Sequence, residues 1–315
     1  MNCEPTTVNG YRKSLRLDSS GPMCSQPICI QKPKWLRRHL PSGPEYEQIK
    51  ALIRNNKLHT VCQEAQCPNQ FECFSKRTAA FLILGSICTR NCRFCNIETG
   101  PSGPPDPEEP LRVAEAAASL QLRYVVVTSV TRDDLPDGGA GIFAQTIKEI
   151  CQHLPRAKVE VLIPDFQGDK SALQTVLRAS PDILNHNIET VSRLYPEVRP
   201  QADYLRSLQV LFDVSQWTPA IASKSGIMLG LGETNDEIEQ TLQDIYDVNC
   251  RILTLGQYLQ PSAQHLPVQR FIPPKEFEQW REVALQIGYK GVASGPFVRS
   301  SYHAHELYND VKSQG

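Results

Sequence analysis

Long apolar runs, an excess of one charge and an apolar N-terminal segment are all missing from this sequence of 315 residues. No stretch of 18 apolar residues occurs, so we predict no transmembrane helix. The 33 basic and 34 acidic residues leave a formal net charge of -1, whereas nucleic-acid-binding proteins usually need a strongly basic face. Residues 1–21 are polar and lack an apolar core, so we expect no secretory signal peptide. We therefore expect no nucleic-acid or membrane partner and a cytoplasmic location, although basic residues near the N-terminus leave an organellar matrix open.

Cysteine is unusually abundant, with 11 residues in total, and six of them lie between residues 62 and 95. The odd number and the missing export signal argue against a disulfide scaffold. In a reducing compartment, clustered thiols are typical of metal ligands or redox centres. Outside the cluster we expect Cys151 and Cys250 to lie in the core on apolar helical faces. We expect no ligation by Cys3, Cys24 or Cys29.

From residue 81 onward the sequence alternates between short apolar runs and helical patterns. The predicted strands are Phe81–Leu84, Tyr124–Val127, Val159–Ile163, Ile183–Ile188, Ser223–Leu229, Ile252–Tyr258 and Gly291–Ala293. Continuous apolar strands are what a parallel sheet covered on both faces requires. Six successive βα units therefore predict an α/β fold, an incomplete TIM-like (β/α)6 barrel with its chemistry at the carboxyl ends of the strands. The predicted segments are an irregular tail at 1–45, an N-terminal extension at 46–77, the barrel at 78–290 and a C-terminal extension at 291–315.

The six clustered cysteines form two groups, numbered here in chain order. The second group consists of Cys88, Cys92 and Cys95, separated by three and then two residues. One short loop of this kind can wrap a cubane iron–sulfur cluster and ligate three of its irons. The fourth iron would remain open for a substrate, in the way that catalytic metal sites keep an open position. A zinc site or buried structural thiols are the alternatives, although zinc would require a fourth Cys or His, which the loop lacks.

This spacing, with Phe94 before the third cysteine, resembles the signature of the radical S-adenosylmethionine (SAM) superfamily. The resemblance implies that the amino and carboxylate groups of SAM bind the open iron of a 4Fe–4S cluster, and that further residues contact the rest of SAM. The residues that we predict to bind the cofactor are Asp137, Gly138, Gly139, Asn187, Glu189, Gly230, Gly232, Glu233 and Arg299. Arg132, Asp133 and Asp165 also follow predicted strands, where each could bind SAM or substrate or form a salt bridge within the loops.

The first cysteine group consists of Cys62, Cys67 and Cys73, separated by four and then five residues. With the preceding Leu58-His59-Thr60-Val61, it is similar to the cysteine motif of the lipoyl synthase family. That family carries an Arg-Ser-Ser-Tyr motif near its C-terminus, and this sequence has the motif at residues 299–302. The resemblance covers roughly residues 32–308, which is most of the chain.

The lipoyl synthase resemblance implies two clusters with different uses. Residues 46–77 would bind an auxiliary 4Fe–4S cluster through the first cysteine group, with Ser301 as the fourth ligand and Ser300 as the alternative. The implied reaction uses SAM to insert two sulfur atoms, taken from the auxiliary cluster, at C6 and C8 of an octanoyl chain on a carrier-protein lysine. The implied catalytic residues are Cys88, Cys92, Cys95 and Ser301.

The resemblance also implies partners. The octanoylated lipoyl-carrier domains would belong to 2-oxoacid dehydrogenase E2 subunits and to the glycine cleavage H protein. An electron donor such as ferredoxin or flavodoxin would reduce the SAM-binding cluster. Because the auxiliary cluster is consumed, an iron–sulfur carrier protein would have to rebuild it.

Two other functions remain open at this point. Another radical SAM enzyme with an auxiliary cluster would not need the terminal serine motif, and a non-enzymatic iron–sulfur protein would not need SAM. Four histidines could also be metal ligands. Because six thiols already supply enough cluster ligands, we expect ordinary hydrogen bonding for each histidine. These histidines are His59, His186, His303 and His305.

Overall fold

A mostly parallel sheet of eight strands runs through the fold. The computed structural model describes residues 31–36, 44–56, 58–64, 67, 69, 73, 79–302 and 304–313. The predictions for Cys3, Cys24, Cys29 and His303 lie outside the described residues. No helix in the described part of the chain is long and apolar enough to cross a membrane.

Ten strands are present in the described residues. They are β1 (His59–Thr60), β2 (Ala79–Ile83), β3 (Ile87–Cys88), β4 (Glu98–Thr99), β5 (Tyr124–Ser129), β6 (Lys158–Leu162), β7 (Ile183–Asn185), β8 (Ala222–Leu229), β9 (Ile252–Gln257) and β10 (Gly291–Gly295). The sheet order is β1-β2-β5-β6-β7-β8-β9-β10, and β3 pairs separately with β4. Only β1 pairs antiparallel among the described ladders. Because β1 and β10 are the two edges and no described ladder joins them, the sheet forms a partial barrel rather than a closed one.

The helices alternate with the parallel strands as the sequence predicts. They are α1 (Pro44–Asn55), α2 (Val61–Glu64), α3 (Glu109–Ser119), α4 (Ala140–His153), α5 (Lys170–Arg178), α6 (Tyr195–Val198), α7 (Tyr204–Trp217), α8 (Asn235–Asp247), α9 (Pro274–Ile287) and α10 (Ala304–Ser313). Short 3-10 turns occupy Lys34–Leu36, Phe166–Gly168 and Ser192–Leu194. Six βα units followed by β10 confirm the predicted fold class.

A polar network lies within the otherwise apolar sheet. The Lys224 ammonium is 2.9 and 3.2 Å from the two carboxylate oxygens of Glu160, and both side chains are fully buried. The Tyr124 hydroxyl donates to Glu160 at 2.5 Å, and the Asn185 amide donates to it at 3.1 Å. A buried charge is stable only when it is paired and hydrogen-bonded, so these four side chains depend on one another.

The C-terminal helix α10 packs close to the amino ends of β5, β6 and β7. The rings of His305 and Tyr308 lie 5.8 and 6.4 Å from the ring of Tyr124, the first residue of β5. The Tyr308 hydroxyl is 3.5 Å from Asp182, which precedes β7, and Lys158 of β6 lies over the Tyr308 ring. No sequence pattern predicted this helix.

The prediction for the two downstream cysteines is half right. Cys250 is fully buried, as expected for a core thiol. Cys151 is exposed, so its assignment to the core is wrong. In α4 the buried face carries Phe143, Ile147 and Ile150. One residue beyond Ile150 turns the helix by about 100°, which moves Cys151 from that face toward solvent.

Candidate active site

The loop that carries the second cysteine group leaves β2 through a left-handed turn. Leu84 and Gly85 have φ values of 68° and 89°, and the Leu84 N–H donates to the buried carboxylate of Glu109 at 2.7 Å. A left-handed conformation is unusual for leucine, so the turn depends on the contacts that hold it. It directs Cys88, at the end of β3, to the carboxyl edge of the sheet.

The three thiols of the second group are close enough to affect one another. Burial raises the pKa of Cys92 and raises the pKa of Cys95 to about 12, and in each case the neighbouring thiols raise it further. The N–H groups of Arg90 and Thr131 lie 3.4 and 3.3 Å from the Cys88 Sγ. Cys92 and Cys95 are therefore neutral thiols in the metal-free chain, and metal binding has to release their protons.

The charged residues that follow β5 and β6 turn out to be bound to one another or to the cysteine loop. Arg90 donates to both oxygens of Asp133, at 2.6 and 2.9 Å, and to Asp165 at 2.6 Å. Arg132 donates to Asp134 at 2.7 and 2.8 Å. The salt-bridge alternative thus applies to Arg132, Asp133 and Asp165. No sequence pattern marked Arg90, although it stands between two cysteines.

Arg132 bonds both ends of the same loop. Its guanidinium donates to the carbonyl of Gly103 at 2.8 Å and reaches the carbonyl of Leu84 at 3.5 Å. Leu84 and Gly103 lie on either side of the second cysteine group. One buried side chain therefore holds together the two ends of the segment that carries Cys88, Cys92 and Cys95.

Residues after β7 meet the second cysteine group. The Asn187 amide donates to Glu189 at 3.0 Å, and Glu189 has a left-handed φ of 69° that its backbone bonds to β8 maintain. Burial raises the pKa of Glu189, against the opposing effects of Arg199, Asn187 and Arg299. Burial raises the pKa of Cys92, and the charge of Arg199 opposes that rise. Glu189, Arg199, Arg299 and Cys92 thus lie around one place at the mouth of the barrel.

Several buried polar atoms at this mouth lack a partner within the protein. They are the Asn187 Oδ1, the His186 Nε2 and the Arg199 Nε. The His186 Nδ1 bonds the Ile163 carbonyl at 2.9 Å, and burial lowers the pKa of His186 to about 4, so its Nε2 is a hydrogen-bond acceptor. Buried polar atoms are rarely left unpaired. Acceptors and a guanidinium donor beside three thiols fit the hydroxyl, amino and carboxylate groups of SAM at a cluster.

Two predicted cofactor-binding carboxylates are engaged with their own turns. Asp137 accepts the N–H groups of Gly139 and Gly141 at 2.9 and 2.8 Å, at the start of α4. Glu233 accepts those of Gly230 and Leu231 at 2.5 and 2.9 Å. Their contacts with SAM stay predictions, as do those of Gly138 and Gly232.

Glycine is required in both of these turns by conformation and by packing. Gly139 and Gly230 have φ values of 88° and 104°. A Cβ on Gly139 would collide with Leu84, and one on Gly230 would collide with the Arg270 carbonyl and the Gln257 amide. The glycines therefore shape the rim of the barrel mouth, whatever else they contact.

The first cysteine group lies beside the second. Cys62 is buried in α2, and the Cys67 N–H donates to the Cys62 carbonyl at 3.0 Å. Burial raises the pKa of Cys62, and the charges of Cys67 and Cys73 raise it further, so these three thiols are also neighbours. The Asn96 amide, next to Cys95, donates to the Glu64 carbonyl at 3.0 Å. That hydrogen bond joins the two cysteine groups.

A contact between distant parts of the chain brings the serine motif to the first cysteine group. The buried Asn69 amide donates to the Phe297 carbonyl at 2.5 Å, across 228 residues of sequence. Just beyond, the Tyr302 N–H donates to the Arg299 carbonyl at 2.9 Å and closes a turn. Ser300 and Ser301 occupy the two central positions of that turn, so both remain candidates for the fourth ligand.

The histidines outside the cysteine groups behave largely as expected, with one addition. His59 bonds Glu64 at 2.9 Å and His186 bonds a carbonyl, which fits the predicted hydrogen bonding. His265 was not predicted. Its Nε2 is 2.9 Å from the Cys95 carbonyl, and its Nδ1 is 2.9 Å from the Ser262 hydroxyl. No sequence pattern marks this histidine, because its role depends on a loop that folds back onto the cysteines.

Comparisons with known proteins identify the family. Residues 82–245 match the radical SAM superfamily, and residues 21–67 match the N-terminal domain of lipoyl synthase of the radical SAM family. The lipoyl synthase of Desulfotalea psychrophila is 57% identical over 283 residues, which cover 90% of this chain and 95% of the relative. The chain belongs to the lipoyl synthase family. The lipoyl synthase of Caldanaerobacter subterraneus subsp. tengcongensis is 54% identical over 277 residues, 88% of this chain and 97% of the relative.

A solved structure of another protein resembles this chain in its fold alone. Coproporphyrinogen III oxidase from Escherichia coli, a radical SAM enzyme, superposes with a TM-score of 0.51 at 12% identity, over 73% of this chain and 58% of that chain. Family membership makes this chain a radical SAM sulfurtransferase with SAM and 4Fe–4S clusters as its cofactors and lipoyl-carrier domains as its substrates. It also decides against a non-enzymatic iron–sulfur protein.

Proposed function

We propose that this chain completes lipoyl groups in place, by inserting sulfur at C6 and C8 of an octanoyl chain attached to a carrier-domain lysine. The observation that carries the proposal is the meeting of three segments at one edge of the sheet. The Asn96–Glu64 hydrogen bond joins the two cysteine groups, and the Asn69–Phe297 hydrogen bond adds the serine turn. A substrate at this edge has access to both groups of thiols.

Each cysteine group has a separate task in this proposal. Cys88, Cys92 and Cys95 hold the SAM-binding cluster, while Cys62, Cys67 and Cys73 hold the auxiliary cluster with Ser301. When bound, the SAM-binding cluster would supply, with SAM, a carbon radical able to take hydrogen from an unactivated C–H bond. The auxiliary cluster would supply sulfide. The chain's own part is to release the thiol protons, to orient SAM and the acyl chain, and to keep water out.

The mouth of the barrel supplies the orienting groups. The Asn187 Oδ1 and the His186 Nε2 accept hydrogen bonds, and the Arg199 Nε donates one. Arg199 is buried and already bonds the Asn187 carbonyl at 3.0 Å and the Tyr195 hydroxyl at 2.9 Å. A buried guanidinium beside Cys92 favours a carboxylate, so we assign Arg199 to the SAM end of the site. The predicted set of Asp137, Gly138, Gly139, Asn187, Glu189, Gly230, Gly232, Glu233 and Arg299 completes this surface.

Ser301 is our choice for the fourth ligand of the auxiliary cluster. A hydroxyl oxygen is a harder donor than a thiolate and a weaker partner for iron in a sulfide-bridged cluster. A weak ligand suits a cluster that is to be dismantled. Arg299, two residues away, supplies positive charge that favours the deprotonated serine.

The proposal also assigns the segments of the chain, the partner proteins and the location of the reaction. We propose that residues 46–77 form the auxiliary-cluster extension, 78–290 the barrel and 291–315 the extension that carries the serine. The carriers are 2-oxoacid dehydrogenase E2 subunits and the glycine cleavage H protein. Ferredoxin or flavodoxin delivers electrons, an iron–sulfur carrier protein restores the auxiliary cluster, and the reaction takes place in the cytoplasm.

Anaerobic reconstitution tests the proposal. The full chain should bind about eight irons, from two four-iron clusters, and should convert an octanoyl-lysine peptide into its lipoyl form with two SAM consumed. Binding of only about four irons, or SAM cleavage without any sulfur transfer, would contradict the proposal.

Serine substitutions test the fourth ligand. Ser301→Ala should leave SAM cleavage intact and abolish sulfur transfer, while Ser300→Ala, a matched change in the same turn, should retain both. Ser301→Cys should bind the auxiliary cluster but release its sulfur more slowly, because a thiolate is a stronger ligand. Equal turnover by Ser301→Cys and the natural chain would argue against the proposed lability.

A further inference from the structure

A buried ionic cluster ties the second cysteine loop to its two neighbouring loops. Arg90, between Cys88 and Cys92, bonds Asp133 after β5 and Asp165 after β6. The Arg90 and Asp165 side chains are 3% and 0% exposed. Arg206 from α7 reaches Asp165 at 3.5 Å and brings the number of positive charges to two, against two carboxylates. The cluster is therefore electrically balanced only when all four residues are present.

The same segments are also joined through their backbones. The Thr89 N–H and hydroxyl both bond the Thr131 carbonyl, at 3.0 and 2.9 Å, and the Asp133 N–H donates to the Thr89 hydroxyl at 3.0 Å. The N–H groups of Arg90 and Thr131 point at the Cys88 sulfur. The position of the Arg90 backbone is therefore directly linked to the position of the Cys88 thiol.

We propose that Arg90 is a positioning residue for the SAM-binding cysteine loop, which its guanidinium holds by clamping Asp133 and Asp165 while its own N–H donates to the Cys88 sulfur. The proposal rests on the assignment of Cys88, Cys92 and Cys95 to the SAM-binding cluster. A guanidinium is needed because it can bond two carboxylates in fixed directions at once, whereas an ammonium is a single point charge. Arg90 contacts no reacting atom and acts through Cys88.

Hydrogen exchange of the metal-free chain gives the first test, which does not depend on activity. In Arg90→Gln the amides of residues 86–92 should exchange at least about tenfold faster, while those of α8 should keep their natural rates, because α8 lies outside this cluster. Arg90→Lys should give an intermediate rate. Unchanged exchange at residues 86–92 in both variants would overturn the proposal. If Arg90→Gln does not fold, Arg90→Lys decides in the same way.

A double-mutant cycle tests the route of the effect. Asp165→Asn removes one of the two carboxylates that Arg90 clamps. If Arg90 acts through them, the double variant should exchange about as fast at residues 86–92 as Arg90→Gln alone. Multiplicative effects of the two changes would overturn the proposed route. Arg270→Gln, which breaks a two-bond ion pair with Glu276 outside this cluster, is the matched control, and it should leave the exchange at residues 86–92 unchanged.

The loaded protein gives a second readout. Reconstituted Arg90→Gln should lose about half of its iron to a chelator at least tenfold faster than the natural chain, and should retain the other half at the natural rate. The change that SAM causes in the electron paramagnetic resonance spectrum of the reduced protein should weaken in parallel. Equal iron loss from both clusters, or an unchanged spectrum, would contradict a positioning role at one loop. Failure of sulfur transfer by the natural chain would reject the proposed function and leave these measurements interpretable.

Discussion

The two cysteine groups differ in where their supports come from. The second group is held by neighbours in the fold. Arg90 bonds the loops after β5 and β6, Arg132 of the β5 loop bonds the Gly103 carbonyl beyond the cysteines, and Glu109 caps the turn after β2. The first group meets its partner segment through Asn69, which bonds Phe297 across 228 residues. One site is thus built into successive βα units of the barrel, and the other is assembled from distant segments. That difference fits the proposed function, in which the second cysteine group holds a permanent cofactor and the first cysteine group holds a cluster that is consumed.

Single cysteine changes should separate the two sites most sharply. Cys92→Ala should abolish SAM cleavage and sulfur transfer alike, because in the proposed assignment the SAM-binding cluster loses a ligand. Cys67→Ala should abolish sulfur transfer while SAM cleavage continues, with about four irons bound in each variant. Iron analysis and product detection by mass spectrometry check both. Loss of SAM cleavage in Cys67→Ala would break the comparison, since it would make the sites interdependent.

The buried Lys224–Glu160 pair should support both sites equally. Lys224→Met leaves a buried carboxylate unpaired, which should lower the free energy of unfolding by about 3–5 kcal/mol. Denaturant unfolding of the metal-free chain measures the change. Glu160→Gln combined with Lys224→Met should recover much of the loss, because no unpaired charge remains. A Lys224→Met variant as stable as the natural chain would show that water reaches Glu160.

Acid should weaken one of the supports of the second group. Burial by itself would raise the pKa of Asp165, but the hydrogen bonds and charge of Arg90 outweigh it and hold the pKa at about 2. Because the folded pKa lies below the unfolded value of about 4, this group stabilises the fold above pH 4 and loses that contribution as the pH falls from 4 to 2. The contribution is about 2 kcal/mol.

Unfolding of the metal-free natural chain and of Asp165→Asn, compared between pH 5 and pH 2, isolates this contribution. The stability of the natural chain should fall more steeply with acid than that of Asp165→Asn. Parallel curves would show that Arg90 does not hold Asp165 ionised.

The hydrogen bond between Asn69 and Phe297 should give the smallest effect. Asn69→Ala removes a buried donor and should lower the free energy of unfolding by about 1 kcal/mol. Sulfur transfer should fall more than SAM cleavage does, because only the first group depends on this contact. Asn56→Ala is the matched control, since Asn56 also bonds a single backbone carbonyl, that of Leu52, at 2.8 Å. Equal loss of both activities in Asn69→Ala would contradict a local role.

Sequence patterns were sufficient for the seven parallel strands of the large sheet and for the grouping of the thiols, because apolar runs and thiol spacing are local signals. The two-residue strands β1, β3 and β4 were not predicted, because they are too short to show a pattern. Arg90, Arg199 and His265 escaped notice because their roles depend on which loops meet at the barrel mouth. Asp137 and Glu233 show the opposite difficulty: a carboxylate in a glycine turn suggests a ligand contact, yet each accepts two N–H groups of its own turn. Cys151 was misplaced because an apolar stretch does not specify which face of a helix is buried.

The bond between Asn69 and Phe297 also imposes an order on synthesis. All six clustered cysteines leave the ribosome before the barrel is half made, and the second group can meet its supports once β5 and β6 follow. Phe297 lies 228 positions after Asn69, and this whole stretch must be translated before the serine turn can reach the first group. A nascent chain can therefore bring the second cysteine group to its supporting loops long before the serine turn can meet the first group.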